Sequence, residues 1–547
     1  MQFAFSSRAT SSRAQIFWSL HTKNVIEKFF IPEVTLRIGY TLSSELDTRS
    51  PVERAKQLEK EYDWLKAAEL YEQALSSESM PSSLAPEIWE RIGFCYNRAS
   101  TQTDDLEEFK KIRQLAVKAY RSAAKLFEKE GSVKNQGNSA HCYAMAEYVG
   151  SWLQSTPSEK RKTLDECRLF AKKSLEAYRN AGDHLGYGKM GNDLLLCLLE
   201  RLHVASEWSE IRNIAQEGID CADEAIAALS KLENKSELLR AYSTASLQSW
   251  YVYVTEQEEK RTELMRRSLD YLEKALKLSK EVDDPYYVAV TNWAAAFCSL
   301  LFTENVEPTV EYAKEMLRQG TILKDNYLKG VSSYVLAFAT DIINMVEEDP
   351  DKRKEGYEKV IQYSKDAINY LQPVSQDFFI AETFHFYIES YSSLAREVVT
   401  DPIEKRSILE KAVDLGRKGV EHATCSGSPD AMVVTHHILS KVLHFLSNLL
   451  IERDEKTLLL QEALIHREEY LKVVERSNPF NDWVSGVGKN YAGLIKVELA
   501  RLEVDRAKKV VLLKDAVSDL EDGASHCRKW NLSRPPLSMP SQVATLR

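Results

Sequence analysis

The chain contains 547 residues, of which 72 are basic and 82 acidic, so its formal net charge is −10. Its 20 glycines and 15 prolines amount to about half the usual share for a soluble protein, which favours long helices with short connections. This composition excludes collagen and a disordered chain rich in proline and glycine. The acidic balance argues against general binding to nucleic acid or anionic membranes, because both polyanions need a basic surface.

The two ends differ in charge from the middle. Residues 1–50 carry +2, residues 528–547 carry +4, and residues 51–527 carry −16. We predict a weakly structured segment over 1–50, although its first 26 residues, which are serine-rich and free of acid, loosely suggest a transit peptide. Residues 531–547 hold basic residues and prolines and are predicted to be disordered.

A charged opening followed by an amphipathic helix recurs through the middle of the chain. Clear copies begin at Glu159-Lys160-Arg161, Glu259-Lys260-Arg261, Asp351-Lys352-Arg353 and Glu404-Lys405-Arg406. With the weaker copies included, the openings are 49–53 residues apart, and one step of 92 covers two units. A period held over about 400 residues indicates a repeat architecture.

Each repeat contains two helical patterns. One is charged and amphipathic, as in 262–282, and the other is more apolar and aromatic, as in 236–255 and 377–399. This alternation is typical of outer and inner layers in a two-layer stack. The uncharged stretch 285–303 nearly reaches the length of a membrane span. It falls where the repeat expects a buried helix, and we assign it to the core.

The first repeats resemble the tetratricopeptide (TPR) family, whose first helix carries W-x-x-L-G-x-x-Y and whose second carries A-x-x-x-F/Y-x-x-A. The family pattern is matched by Trp89, Ile92, Gly93 and Tyr96, by Ala67, Tyr71 and Ala74, and by Ala116, Tyr120 and Ala123. The later copies are looser, and the units are near 50 residues where the family has 34. The resemblance implies an all-α fold, an α-solenoid of stacked antiparallel helix pairs forming a TPR-like superhelix over 51–530.

Motifs for chemistry are scarce. Residues 186–191 satisfy GxGxxG, but a helix rather than a strand precedes them, which favours close helix packing over a dinucleotide site. His436, His437 and His444 share a predicted apolar helix and are interpreted as core or groove histidines rather than metal ligands. The eight cysteines are scattered and are predicted to be reduced thiols. Because a solenoid brings together only nearby repeats, we expect no catalytic residues, cofactor or metal.

The leading functional hypothesis is a non-enzymatic, cytoplasmic scaffold that binds a protein or peptide in the concave groove of the solenoid. The charge of the repeats suggests a partner with basic or mixed charge, and neither nucleic acid nor membrane is expected. The alternative is the sensing arm of a larger signalling regulator, of the ATPase or cyclase type, whose effector domain lies outside this chain.

The predicted partner-binding residues lie on the aromatic-rich inner helices, since aromatic anchors among sparse charges are typical of interface centres. They are Trp250, Trp293, Tyr334, His385, Tyr387, His437, Trp483 and Lys489.

Overall fold

The computed structural model describes residues 50–532, except for 78–79, 256–257, 303–305 and 477–480. The predicted segment 1–50, apart from its last residue, and the predicted tail beyond residue 532 lie outside the described residues. Twenty α-helices and no strand are found in the described part of the chain. Their bounds are α1 Pro51–Lys60, α2 Trp64–Leu75, α3 Ala85–Ser100, α4 Leu106–Glu130, α5 Val133–Ser151, α6 Pro157–Ala181, α7 His184–His203, α8 Trp208–Leu229, α9 Lys235–Thr255, α10 Glu258–Leu278, α11 Pro285–Phe302, α12 Glu307–Ile322, α13 Asn326–Met345, α14 Pro350–Leu371, α15 Asp377–Ser393, α16 Pro402–Ser426, α17 Pro429–Ser447, α18 Arg453–Arg476, α19 Asn481–Leu502 and α20 Arg506–Leu532.

The helices pack in chain order as antiparallel pairs, which confirms the predicted α-solenoid. The charged openings lie in the first turns of α6, α10, α14 and α16. The step of 92 residues in the sequence covers two repeats, and the opening of the second of them lies at α12, where the sequence pattern is weakest. From α3 onwards, each repeat is a more apolar odd-numbered helix followed by a more charged even-numbered helix, as predicted, whereas in the first pair α1 is the charged helix.

Short-range signals fix where these helices begin and end. The side chain of Asp105 accepts a hydrogen bond from the backbone N–H of Glu108, and Thr156 caps α6 in the same way. At the other ends, Gly131, Gly182 and Gly427 adopt left-handed φ angles of 71°, 67° and 66°. Glycine takes this conformation without a Cβ penalty, so these helices stop cleanly and the chain reverses within a few residues.

The odd-numbered helices form the inner layer, and successive ones from α5 to α17 contact one another directly. Small residues allow each inner helix to approach the following outer helix closely. A Cβ on Gly93, in the family-like motif of α3, would lie 2.8 Å from the Tyr120 ring of α4. The glycines of the GxGxxG stretch have the same role, because Gly188 meets Leu229 and Gly191 meets Ala225 of α8.

Adding a methyl group at Gly191 should therefore destabilise the protein. Its Cβ would lie 2.8 Å from the Cβ of Ala225, so α7 and α8 would have to separate. We expect Gly191→Ala to lower the free energy of unfolding by about 1–3 kcal/mol, the cost typical of an overpacked core. Gly150→Ala is the matched control, because its Cβ would meet only Val117 at 3.8 Å. Urea unfolding of both variants tests this, and equal stabilities would contradict the packing argument.

Distant repeats also meet, so the expectation that the solenoid brings together only nearby repeats was wrong. The backbone N–H of Asn326 donates to the carbonyl of Thr101 at 2.8 Å, and its side-chain amide donates to the carbonyl of Thr103 at 2.8 Å. Thr101 also donates to the carboxylate of Asp325, 224 residues away, at 3.0 Å.

The same kind of contact recurs along the edge of the array. The His203 ring stacks on Phe378 with centroids 4.6 Å apart, and Gly427 packs against Pro157. In each case the connection after an odd-numbered helix, including the helix ends beside it, meets the connection after an even-numbered helix. The array is thus curved tightly enough for one superhelical turn, about 220 residues, to stack on the next. Pair-by-pair periodicity does not reveal this curvature, because it depends on the angles at which successive pairs pack.

No helix in the described part of the chain is long and apolar enough to cross a membrane. The uncharged stretch assigned to the core forms α11, where Ala289, Trp293 and Phe297 are all buried. The prediction of a core helix at this position agrees with the structure.

Candidate functional site: a charged central cavity

A cavity of about 470 Å³ lies on the concave side of the first superhelical turn. It is lined mainly by the inner helices α3, α5, α7, α9, α11 and α13, with contributions from α2 and α4. This volume is in the range of known ligand-binding pockets. Its wall combines aromatic rings with charged groups of both signs. The acidic groups are Glu87, Glu90, Asp193, Glu200, Glu237, Asp284 and Asp325, and the basic ones are Arg91, Arg98, Arg113, Lys189 and Arg240.

Asp193 on α7 is the centre of a chain of ion pairs across this wall. One of its carboxylate oxygens is 2.7 Å from Nε2 of His141 on α5, and the other pairs with the guanidinium of Arg240 on α9. Arg240 also lies 3.9 Å from Glu237, whose carboxylate accepts a hydrogen bond from Asn192 at 2.8 Å. Three inner helices are therefore tied together by charged groups that face the cavity.

The surroundings shift the pKa values of these groups. Burial alone would raise the pKa of Asp193, but the charges of Arg240 and His141 hold it well below its ordinary range. Burial opposes protonation of His141, yet its hydrogen bond to Asp193 raises the pKa of the imidazole above 6.5. Burial raises the pKa of Glu90, and nearby Asp193 adds to this effect. Asp193 is thus ionised at neutral pH, and His141 has an increased tendency to carry a proton.

Two exposed charges lie beside this network. Lys189 and Glu87 line the cavity and are open to solvent. Within the described ranges, no hydrogen bond or ion pair engages the ammonium of Lys189. A ligand carrying both charges would therefore find an accessible cation and an accessible anion at the same wall.

Arginine and aromatic rings meet at the other part of the cavity. The guanidinium of Arg98 lies 3.6 Å from the ring centroid of Tyr286, close enough for a cation–π interaction. Arg113 lies 4.3 Å from the Trp152 ring and is only 2% exposed. Tyr327 contacts the rings of both Trp152 and Trp293, with centroids 5.5 and 6.1 Å away.

Of the predicted partner-binding residues, Trp293 lines the cavity. The others lie elsewhere along the array. Tyr334, His385 and Tyr387 are buried among neighbouring rings, with Tyr334 packing on Phe379 at 5.5 Å. Trp250 is half-buried and meets Phe297 edge-to-face at 5.0 Å.

The remaining predicted residues are nearer the end of the described chain. His437 is buried, and its Nδ1 is 3.0 Å from the Arg467 guanidinium. Lys489 is half-buried and pairs with Asp522 at 3.1 Å. The side chain of Trp483 lies outside the described residues. The structure thus does not bring the seven described side chains together into one site, and the binding role of all eight residues stays a prediction.

Sequence reasoning missed the charged residues of the cavity. A usable signal was present on α7, where Asp193 and Glu200 interrupt a run of leucines on a largely buried helix. Charged residues are seldom buried unless they are paired, so such positions indicate a polar network. Arg113 carried no comparable signal, because it follows Lys110 and Lys111 in a segment that reads as an ordinary solvated face.

The histidines and cysteines singled out in the sequence lie apart from the cavity. His436 is 3.0 Å from His466, nitrogen to nitrogen, and His444 is near the end of α17. In the described part of the chain, no cluster of histidine, cysteine and carboxylate residues is arranged to hold a metal ion. Five of the eight cysteines are buried, and all eight are free thiols.

No protein-family model matches the chain, and no curated protein matches it. Solved structures with a similar arrangement include a circular tandem repeat protein with novel repeat topology and enhanced subunit contact surfaces. That protein is 13% identical, with 82% of this chain and 97% of that chain covered and a TM-score of 0.22. Another is a monomeric mutant of IFIT1 with Gppp-AAAA, at 11% identity, 84% and 94% coverage, and a TM-score of 0.35.

Proposed function

We propose that this chain is a non-enzymatic, TPR-like scaffold that binds a peptide segment of a protein partner in its central cavity. The cavity itself is the observation that supports this function most directly. It lies on the concave side, its wall is built from six successive inner helices, and it carries both aromatic rings and accessible charges of either sign. An extended peptide presents backbone groups, charged side chains and apolar side chains together, which suits such a wall.

The charges indicate the composition of the peptide. Seven carboxylates and five basic groups line the cavity, so basic side chains would meet more complementary charge than acidic ones. The free thiols are in keeping with a reducing, cytoplasmic setting. The alternative function, as the sensing arm of a larger regulator, predicts a small ligand in the same cavity.

The test is selection from a displayed library of random peptides, in parallel with a pool of random RNA oligonucleotides. We expect peptides of mixed charge to be enriched and to bind the purified chain specifically. The double variant Glu87→Lys with Lys189→Glu reverses the two exposed charges of the cavity and leaves the net charge unchanged. It should weaken binding of the selected peptides by about tenfold or more, measured by fluorescence anisotropy.

The matched control exchanges the same two residue types on the outer layer. Lys418→Glu with Glu421→Lys lies on the exposed surface of α16 and should leave peptide affinity unchanged. Circular dichroism checks that both double variants keep the wild-type helix content. Enrichment of oligonucleotides alone, or peptide binding lost only in the α16 variant, would show that the proposal is wrong.

A further inference from the structure

Three buried side chains around Tyr327 offer hydrogen-bond donors that have no acceptor. They are Arg113, through Nε and Nη1, and Trp152 and Trp293, through their indole Nε1 atoms. None is more than 6% exposed. Within the residues that the structure describes, no protein oxygen accepts from these four N–H groups. A buried donor without a partner destabilises the fold, and more so when the group is charged, so such a cluster needs an explanation.

The three donors line one end of the central cavity, although they come from separate parts of the fold. Arg113 is on α4, Trp152 follows α5, and Trp293 is on α11. Tyr327 of α13 lies between the two indoles, and the guanidinium of Arg113 lies 4.3 Å from the Trp152 ring. The Phe109 ring, 4.9 Å from the guanidinium, further limits how Arg113 can turn. The donors are thus held in place by packing.

The carboxylates nearest to this end already have partners. Glu200 accepts a hydrogen bond from the Tyr327 hydroxyl at 3.3 Å and lies 3.6 Å from the Lys160 ammonium. Asp325 accepts from the backbone N–H of Leu328 at 3.1 Å and from the Thr101 hydroxyl at 3.0 Å. Burial raises the pKa of Asp325. Neither group is hydrogen-bonded to Arg113.

Arg113 still carries its charge at neutral pH. Burial lowers the pKa of its guanidinium to about 10, while Tyr148 and the carboxylates of Glu200 and Asp325 act in the opposite direction. A water molecule could accept from one of the N–H groups, but it would add no negative charge to the partial compensation that Glu200 and Asp325 provide without a hydrogen bond. Carboxylate and phosphate groups supply both several acceptor oxygens and a negative charge in direct contact, and their geometry fits the guanidinium fork.

We propose that this end of the cavity, bounded by Arg113, Trp152, Trp293 and Tyr327, is an oxyanion site that binds a carboxylate or phosphate group of the cavity's occupant. This inference rests on the proposed function for its setting, because the oxyanion would belong to the bound peptide. It adds one specific requirement to the composition of that peptide. Among its mainly basic charges, the peptide carries one acidic group, which is buried against the aromatic wall.

Small probes test the site independently of any peptide. Benzoate and phenyl phosphate each place an oxyanion on an aromatic ring, and benzyl alcohol is a neutral compound of similar size. We expect at least one anion to bind the full chain in isothermal titration calorimetry and to change the tryptophan fluorescence, since two indoles line the site. Benzyl alcohol should give neither signal. The anion that binds more tightly shows whether the site prefers a carboxylate or a phosphate group.

Arg113→Met removes the charge and keeps a side chain of similar length. It should weaken binding of the preferred anion by about tenfold or more, and Arg113→Lys should give an intermediate loss because the fork is missing. Arg417→Met is the matched control, on the exposed face of α16, and should bind the anion as the wild type does. Thermal melts separate binding from packing. The anion should raise the melting temperature of the wild type and of Arg417→Met, but not that of Arg113→Met.

Two results would overturn the oxyanion site: no binding of either anion to the wild type at millimolar concentration, or equal binding by Arg113→Met. If Arg113→Met does not fold, the comparison of Arg113→Lys with the wild type decides, and equal affinities would reject the site. Failure of the oxyanion site with peptide selection intact leaves the proposed function standing. If an anion binds but no peptide is selected, the oxyanion site stands and the proposed peptide-binding function fails. The site would then serve a small ligand.

Discussion

Replacing Asp193 by alanine is expected to lower the free energy of unfolding by about 3–5 kcal/mol, the loss typical of breaking a buried ion pair from one side. The carboxylate holds both Arg240 and His141, so its removal leaves His141 without its anion and leaves Arg240 with only the more distant Glu237, in a largely buried setting. Asp414→Ala is the control, because Asp414 belongs to an exposed pair with Arg417 and should cost less than about 1 kcal/mol. Urea unfolding followed by circular dichroism measures both.

The cost of Asp193→Ala should also depend on pH. The depressed pKa of Asp193 contributes stability above its unfolded value near 4, and this contribution is lost as the pH falls below it. The raised pKa of His141 contributes stability that is fully present below about pH 6.5 and is lost as the pH rises through the raised value. The difference in the free energy of unfolding between the wild type and the variant should therefore be larger at pH 6 than at pH 9. A gap that widens towards pH 9 would contradict the assigned pairing.

A second large effect is expected at Asp341, where a neutral side chain should stabilise the protein. Asp341 on α13 is 4% exposed. Burial, with a smaller contribution from the negative charge of Glu389, raises its pKa to about 8, while Lys441 acts in the opposite direction. Because the folded pKa lies above the unfolded one, Asp341 costs the wild type stability as the pH rises from about 4 to 8.

Asp341→Asn removes this cost. At pH 8 we expect the variant to be more stable than the wild type by about 2–4 kcal/mol. Each unit by which the folded pKa exceeds the unfolded one implies ~1.4 kcal/mol, and the expected range is set below the full sum. At pH 4 the wild-type carboxyl is protonated in the folded state, and the two proteins should differ by no more than about 1 kcal/mol. Urea unfolding at both pH values tests this. The buried histidines titrate in both proteins, so their effect cancels in the comparison. If the free energies of unfolding of the two proteins changed in parallel between pH 4 and pH 8, the prediction would be refuted.

The contrast between these two carboxylates shows why the site was harder to predict than the fold. Asp193 has Arg240 and His141 as partners, and its pKa falls, whereas Asp341 lies near Glu389, and its pKa rises. Both residues are isolated acids in apolar helical segments of the sequence. The charged partners of Asp193, and the burial that raises the pKa of Asp341 together with the charge of Glu389, depend on how neighbouring inner helices pack and are rotated.

The sequence by itself determined the helices, their pairing and their order. The period near 50 residues, the charged openings and the alternation of apolar and charged helices all depend on local hydrophobic patterning, which acts within one repeat. The family-like motif likewise predicted buried positions such as Ala67, Tyr71 and Ala116, which are all less than 2% exposed.

Only the tertiary structure decided how tightly the array curves. The contacts of Thr101 with Asp325, and of His203 with Phe378, join residues 175 or more positions apart. Small packing angles between successive helix pairs accumulate over such distances, and no local pattern records their sum. That curvature encloses the cavity and brings Arg113, Trp152, Trp293 and Tyr327 to one place. Most of the aromatic residues predicted to form an open groove are instead buried against neighbouring repeats, as Tyr334 is against Phe379.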